Sequence, residues 1–251
     1  MRTVSAIVAC VVLSISGPAA GTRLTSSDNF IVMAPDQPLA EEIRDTAEQL
    51  RKEIALAWLG AELPAGKGRT IVTVNVVDEA DRALTWLIDH PQRTMHSTWL
   101  TCPREAATGP LLAHEITHVV LATRFEGRVP AWADEGIASL QDDPRRIAIR
   151  NRMVAIWARD RTWPDLTRVL SAQAIAAHDR RAYAIAASLT QCLVARGGRA
   201  RFLQFAIEGK EHGWDQALQR YYGIPTTRQL QTEWQIWTIR NSQAARAANK
   251  D

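Results

Sequence analysis

Two histidines and a glutamate lie close together in the segment Gly109-Pro110-Leu-Leu-Ala-His114-Glu115-Ile-Thr-His118. Proline directly after glycine is typical of a helix start, and at about 100° per residue His114 and His118 lie about 40° apart, one turn from each other. Two imidazoles in this arrangement can bind one Zn²⁺ from the same side, and Glu115 is near enough to reach water on that ion. The spacing therefore predicts metal-assisted hydrolysis, with Glu115 taking a proton from water.

A catalytic zinc site also needs a third protein ligand and one open position. Glu135, 17 residues after the second histidine, lies in another predicted helix, which starts at Pro130. Trp132 indicates that this helix is packed, where an unpaired carboxylate would be costly. A short reversal around Gly127 would bring the two helices together. Glu135 is thus the expected third ligand, with Asp134 as the alternative.

These two segments together resemble the gluzincin metallopeptidases, in particular the peptidase MA-like group of secreted or envelope proteins. The matching residues are His114-Glu115-x-x-His118 and Pro130-x-Trp132-x-x-Glu135-Gly136-Ile-Ala138. The similarity extends weakly to residues 182–189 and 234–237. The resemblance implies a zincin-like fold in which His114, His118 and Glu135 hold Zn²⁺ and Glu115 is the general base.

The chain differs from the sequence patterns of related zinc enzymes at several positions. A metzincin would have glycine at 121 and histidine at 124, whereas this chain has Leu121 and Arg124. Gluzincins often carry an acidic residue four positions after the ligand glutamate, where it orients the first histidine, and this chain has Ser139 there. The carboxylates that could orient the ligands instead are Asp134, Asp142 and Asp143.

The resemblance also implies groups that act on the substrate. Gluzincins often stabilise the oxyanion with a tyrosine or histidine from the helices after the third ligand, and Tyr183 and His178 are the candidates here. Gluzincins also bind the substrate peptide as an added strand on a sheet edge ahead of the metal helix. In this chain the segment in that position runs from Met95 to Thr101. His90, His96 and His212 are interpreted as surface or structural residues.

Several elements must position these residues. Strands are predicted over 29–35, 70–77 and about 96–101, and residues 38–59 have the apolar spacing of an amphipathic helix. After Pro110 the pattern is helical throughout, in segments 110–124, 130–141, 145–159, 164–171, 180–196, 199–208, 213–221 and 226–240. Strands followed by a run of helices indicate an α+β fold: a sheet-containing part over 22–107, a helical part with the metal site over 108–241, and a fraying tail over 242–251.

Composition excludes several classes of protein. The chain is 46% hydrophobic and 23% charged, which is typical of a globular domain. The net charge is +3 and the arginines are scattered, which argues against nucleic-acid binding. No apolar run reaches the ~18 residues that a transmembrane helix needs.

The N-terminus has the layout of a secretory signal peptide over residues 1–21: Arg2, an apolar stretch from Val4 to Ile15, and a small, breaker-rich end. The segment Ile7-Val-Ala-Cys10 resembles a lipobox, although it comes too early for a normal apolar region. Removing the signal leaves Cys102 and Cys192, which could pair in an oxidising compartment or remain buried thiols. The expected location is secreted or periplasmic, in the cell envelope.

The sequence as a whole predicts an exported zinc metallopeptidase that acts on a peptide or protein substrate. Two other functions use the same residues: a non-catalytic envelope protein with a structural or relict zinc site, and a zinc hydrolase of a non-peptide amide bond. The sequence leaves cleavage specificity and oligomeric state open.

Overall fold

The computed structural model describes residues 21–65, 68–79, 81–88 and 95–248. The strands are β1 (Arg23–Ser26), β2 (Phe30–Ala34), β3 (Thr70–Val76), β4 (Arg82–Ile88) and β5 (Met95–Cys102). The helices are α1 (Gln37–Leu59), α2 (Pro110–Phe125), α3 (Ala131–Ala138), α4 (Pro144–Asp160), α5 (Leu166–Leu170), α6 (Arg180–His212), α7 (Trp214–Tyr222) and α8 (Thr227–Ala248). The predicted α+β fold, with its sheet before residue 107 and helices after it, is confirmed.

The five strands form one sheet in the order β1-β2-β3-β5-β4. Strands β2, β3 and β5 are parallel, and the outer strands β1 and β4 run antiparallel to their neighbours. The prediction that residues 95–101 form the sheet edge is wrong, because β4 pairs with β5 along its whole length and becomes the edge itself. Strands β1 and β4 were not predicted from the sequence.

One face of the sheet packs against helices, and the other is open. Val32, Val72 and Leu100 are fully buried on the inner face, where α1 and α2 cover the strands. Leu84 and Trp99 are largely exposed on the outer face. The alternation of buried and exposed residues along each strand follows from the two-residue period of a strand.

Helix α1 follows the predicted pattern closely. The Asp36 side chain accepts a hydrogen bond from the backbone N–H of Leu39 (3.0 Å) and caps its first turn. Gly60 ends it in the left-handed conformation (φ 76°). Its apolar row, including Ile43 and Trp58, is buried under the sheet.

The helical part has its core around a cluster of aromatic rings: Trp132, Phe202, Phe205, Trp214 and Tyr222. The sequence predicts two helices over 180–196 and 199–208. In the structure they are joined within α6, where Gly198 has a non-helical conformation (φ 78°), and the second continues to His212. Helix α8 continues to Ala248, past the predicted end at 240.

The two described cysteines, Cys102 and Cys192, are buried and free, so they do not pair. Residues 1–20 of the predicted signal peptide, including Cys10, lie outside the described residues, as do His90 and residues 249–251 of the predicted tail. Within the described ranges, no helix combines the length and the apolar character needed to cross a membrane.

Candidate metal centre

Helix α2 carries three of the predicted site residues on one side. Gly109 provides an extended N-cap and Pro110 the first helical residue, as the sequence predicts. Leu112, Ile116 and Val120 are fully buried and hold α2 against the sheet and the other helices. His114, Glu115 and His118 line a cavity on another side of the helix. The apolar residues therefore fix the rotation of α2 and with it the direction of both imidazoles.

Helix α3 brings in the predicted third ligand. Glu126 (φ 51°) and Gly127 (φ 75°) are both left-handed, and this reverses the chain after α2. The Trp132 side chain, fully buried, anchors α3 among the aromatic rings. Three residues later, about 60° further around the helix, the Glu135 carboxylate faces the two histidines.

Gly136 allows α3 to pack closely against α6. A Cβ atom at this position would lie 2.7 Å from the carbonyl oxygen of Ala186 and 2.2 Å from Oγ1 of Thr190. Real Cβ contacts are never this short, so any side chain would push the two helices apart. Glycine after Glu135 is therefore a packing requirement at this crossing.

The donor atoms of His114, His118 and Glu135 form a compact group in which all three lie within 4.8 Å of one another. Oε2 of Glu135 is 3.6 Å from Nε2 of His114 and 3.7 Å from Nε2 of His118. Ligands of a tetrahedral zinc ion with bonds of about 2.0–2.1 Å lie about 3.3 Å apart. Oε2 of Glu135 is also buried without a hydrogen-bond partner. Both observations fit a metal ion between the three side chains.

The other ring nitrogen of each histidine faces a carboxylate. Nδ1 of His114 is 3.1 Å from Asp142, and Nδ1 of His118 is 3.0 Å from Asp134. We therefore assign both Nδ1–H groups as donors, which leaves both Nε2 lone pairs for a metal. This arrangement, a carboxylate behind each ligating imidazole, is typical of zinc sites.

Two of the three carboxylates considered from the sequence orient the histidines. Asp143 does not contact them, since it caps α4 through the backbone N–H groups of Arg145 (2.8 Å) and Arg146 (3.0 Å). Asp134 faces Nδ1 of His118, so it is not part of the three-donor group.

The Asp142 carboxylate also forms ion pairs with two arginines. Its side chain is fully buried and forms an ion pair with Arg150 and a longer one (3.7 Å) with Arg146. His114 and Arg150 together keep the pKa of this carboxyl below its usual value, although burial alone would raise it. A charged Asp142 is thus available to accept the hydrogen bond from His114.

The metal-free site holds protons strongly. Burial lowers the pKa of both imidazoles, but the carboxylates outweigh it. Asp142 and Glu135 raise the pKa of His114 to about 9, and Asp134 and Glu135, with a contribution from Glu115, raise the pKa of His118 to about 10. A metal ion that binds here must displace these protons.

The cavity has a volume of about 1420 Å³ and runs beside the sheet edge. Residues 82–86 of β4 line it together with the three donors and Glu115. Glu115 is almost fully buried, and its Oε2 atom has no hydrogen-bond partner. The general base predicted from the sequence therefore lines the same cavity as the three candidate metal ligands.

The two candidates for oxyanion stabilisation differ in position. Tyr183 lines the cavity, and burial together with the negative charge of the neighbouring Glu135 raises its pKa well above the ordinary value. His178 is exposed in the loop before α6 and is not among the residues that line the cavity. The structure brings Tyr183, and not His178, to the site.

His96 is a cavity residue that the sequence analysis assigned to the surface or to a structural role. It is buried on β5 and lines the cavity, and its Nε2 atom is buried without a hydrogen-bond partner. Burial lowers the pKa of this imidazole. The two-residue period of β5 places His96 on the same face as the buried Leu100, a signal that could have been read from the sequence.

The chain was compared with protein-family models, with curated proteins and with solved structures. None of the three comparisons finds a match. The function of the site is therefore argued from its own geometry and chemistry.

Proposed function

We propose that the protein is an exported zinc-dependent metallopeptidase of the gluzincin type, with a zincin-like fold. The observation that carries the proposal is the group of three donor atoms from His114, His118 and Glu135, with a carboxylate behind each imidazole. Two imidazoles and one carboxylate are a ligand set that catalytic zinc uses. A structural zinc site would have four protein ligands, and among the described residues the group contains three.

In this proposal a zinc ion supplies Lewis acidity and lowers the pKa of water. Glu115 is the general base. Its buried carboxylate faces the cavity with one oxygen free of hydrogen bonds, so it can accept the proton of the attacking water and later deliver it to the leaving amine.

Tyr183 is the proposed oxyanion donor. Its raised pKa keeps the hydroxyl protonated at neutral pH, and a protonated phenol can donate a hydrogen bond to the negatively charged oxygen that develops on the substrate. Arg150 lies over the Tyr183 ring, with its guanidinium carbon 5.7 Å from the ring centroid, and supports its position.

The shape of the cavity favours a peptide over a compact amide substrate. One wall is β4, which is the outermost strand of the sheet among the described residues and offers backbone N–H and C=O groups to an added strand. An extended peptide can use this edge, while a small non-peptide amide would leave most of the cavity empty.

The test combines metal analysis with Glu115→Gln. Purified protein should bind about one zinc per chain and cleave members of a broad peptide library in a chelator-sensitive manner. Glu115→Gln should keep the metal and lose about 10²–10⁴-fold or more in turnover. Unchanged turnover in this variant would remove Glu115 from the mechanism. Zinc binding without cleavage of any peptide would favour the structural or relict site.

A further inference from the structure

Arginine side chains are concentrated along part of the catalytic cavity. Five arginines from β4, α4 and α6 line it: Arg82, Arg145, Arg146, Arg150 and Arg180. Arg146 pairs with Asp81 (2.9 Å), and Arg150 pairs with Asp142. The side chains of the other three form no ion pair or hydrogen bond with any residue that the structure describes. We call Arg82, Arg145 and Arg180 the arginine rim.

Two members of the arginine rim occupy unfavourable positions. Arg145 lies in the first turn of α4 and Arg180 is the first residue of α6. A helix N-terminus carries partial positive charge, so cations are disfavoured there and anions are favoured. Asp143 and Asp179 cap the two helices by accepting backbone N–H hydrogen bonds, and neither pairs with a guanidinium group of the arginine rim. The guanidinium groups of Arg145 and Arg180 therefore remain available to an anion in the cavity.

The third member links the arginine rim to the sheet edge. Arg82 is the first residue of β4, and the carbonyl oxygen of the preceding residue, Asp81, accepts a hydrogen bond from Arg146 (2.9 Å). The start of β4 therefore lies against the start of α4. A peptide added along β4 passes the arginine rim at this end of the strand.

The carboxylates that line the cavity do not pair with the arginine rim. Glu135 and Asp134 face the histidines, and Asp81 and Asp143 pair with Arg146. Glu126, at the C-terminal end of α2, lies eleven residues after the general base, about 16 Å along the helix. Among the described residues, no carboxylate therefore pairs with the arginine rim, although Glu115, the proposed general base, also lines the cavity and has no hydrogen-bond partner at Oε2.

We infer that the arginine rim selects peptides that carry carboxylate groups close to the cleaved bond, an inference that rests on the proposed peptidase function. The planar guanidinium group binds carboxylates with two parallel hydrogen bonds. The carboxylate can come from an acidic side chain or from the C-terminus of the peptide. Because the rim residues are exposed, the preference weakens as salt concentration rises.

The experiment uses zinc-loaded full-length protein and paired peptide mixtures that are identical except for Glu or Gln at fixed positions. Each mixture is prepared with a free and with an amidated C-terminus, which separates the two sources of carboxylate. We expect kcat/KM about tenfold higher for a carboxylate-bearing mixture than for its neutral counterpart. The double variant Arg145→Gln, Arg180→Gln should remove this preference, while the matched control Arg228→Gln, exposed on α8, should retain it.

Binding of the same mixtures to Glu115→Gln, measured by calorimetry, separates this inference from the proposed function. Preferential binding that depends on Arg145 and Arg180 supports the arginine rim even if no peptide is cleaved, and in that case the peptidase proposal fails alone. Cleavage without a carboxylate preference, or with one that survives the double variant, overturns the inference and leaves the peptidase proposal intact. Absence of both binding and cleavage overturns both.

Discussion

Helix α3 contacts two regions of opposite character. The Trp132 ring packs against Phe202, Phe205 and Trp214, with ring centroids 5.7 to 6.3 Å away. Three residues further along the helix, Glu135 lies in a cluster of carboxylates and imidazoles, where oxygens of Glu115 and Glu135 have no hydrogen-bond partner. The aromatic region has almost no polar atoms to satisfy, although Nε1 of Trp132 is also unpaired.

This difference shows that one part of α3 stabilises the fold and another part presents the Glu135 carboxylate. Burial of large aromatic surface supplies stability, whereas unsatisfied buried carboxylates cost stability unless a ligand or ion pairs with them. The aromatic region can therefore hold Glu135 in place while its carboxylate remains available. Removing aromatic surface should then affect stability, and changes around the histidines should affect metal binding.

The largest effect is expected for Trp132→Ala. Removal of this fully buried ring should lower the free energy of unfolding by about 3–5 kcal/mol. The measurement is chemical denaturation of the chelator-treated protein. The control is Trp99→Ala, since Trp99 is 39% exposed on the outer face of the sheet and should cost less than half as much. Equal losses for the two variants would contradict the distinction between the regions.

The second prediction concerns pH. Without metal, the pKa values of about 9 for His114 and about 10 for His118 exceed the ~6.5 of unfolded histidine. Their protonation therefore stabilises the fold fully below about pH 6.5, and this contribution is lost as pH rises through 9 to 10. Zinc needs neutral imidazoles, so its stabilising effect should instead grow with pH.

Chemical denaturation from pH 6.5 to 10, with chelator and with stoichiometric zinc, measures these two opposite pH dependences of stability. The chelator-treated protein should lose stability relative to the zinc-loaded protein as pH rises. Parallel stability curves under the two conditions would show that the histidines do not exchange protons for metal.

The smallest effect is expected for Asp142→Asn, which keeps the size of the side chain but removes its charge behind His114. Zinc affinity should fall by about 10–100-fold, because the carboxylate orients the imidazole and raises its basicity. Competition with a chromophoric chelator measures this change. Asp143→Asn is the matched control, since Asn caps helices as well as Asp does and Asp143 does not contact the histidines. A similar loss in both variants would assign the effect to α4 and not to the metal site.

The parts of the site that could be predicted from the sequence are those fixed by helix geometry. His114, Glu115 and His118 follow from spacing within one helix, and Glu135 from a short reversal between two packed helices. The roles of the orienting carboxylates did not follow from the sequence, because a short 3-10 turn over Ser139–Gln141 separates α3 from Asp142. The direction of a side chain after such a turn depends on tertiary packing.

The sheet was predicted less completely than the metal site, because the place of its edge strand also depends on tertiary contacts. Strands β2, β3 and β5 have clear β-branched or alternating patterns. Strand β4 carries arginine at its start and apolar residues on its exposed face, including Leu84 and Trp86. Its place at the edge depends on pairing with β5, a contact between segments whose register no local pattern specifies.

The contact at Gly136 also constrains how this site can change over evolution. The carbonyl oxygen of Ala186 is backbone, so a mutant side chain at 136 could be accommodated only if α3 and α6 moved apart. Such a displacement would carry the adjacent Glu135 with it, and a metal ligand tolerates errors of only a few tenths of an ångström. Selection for metal binding would thus preserve a residue that has no side chain and never touches the ion.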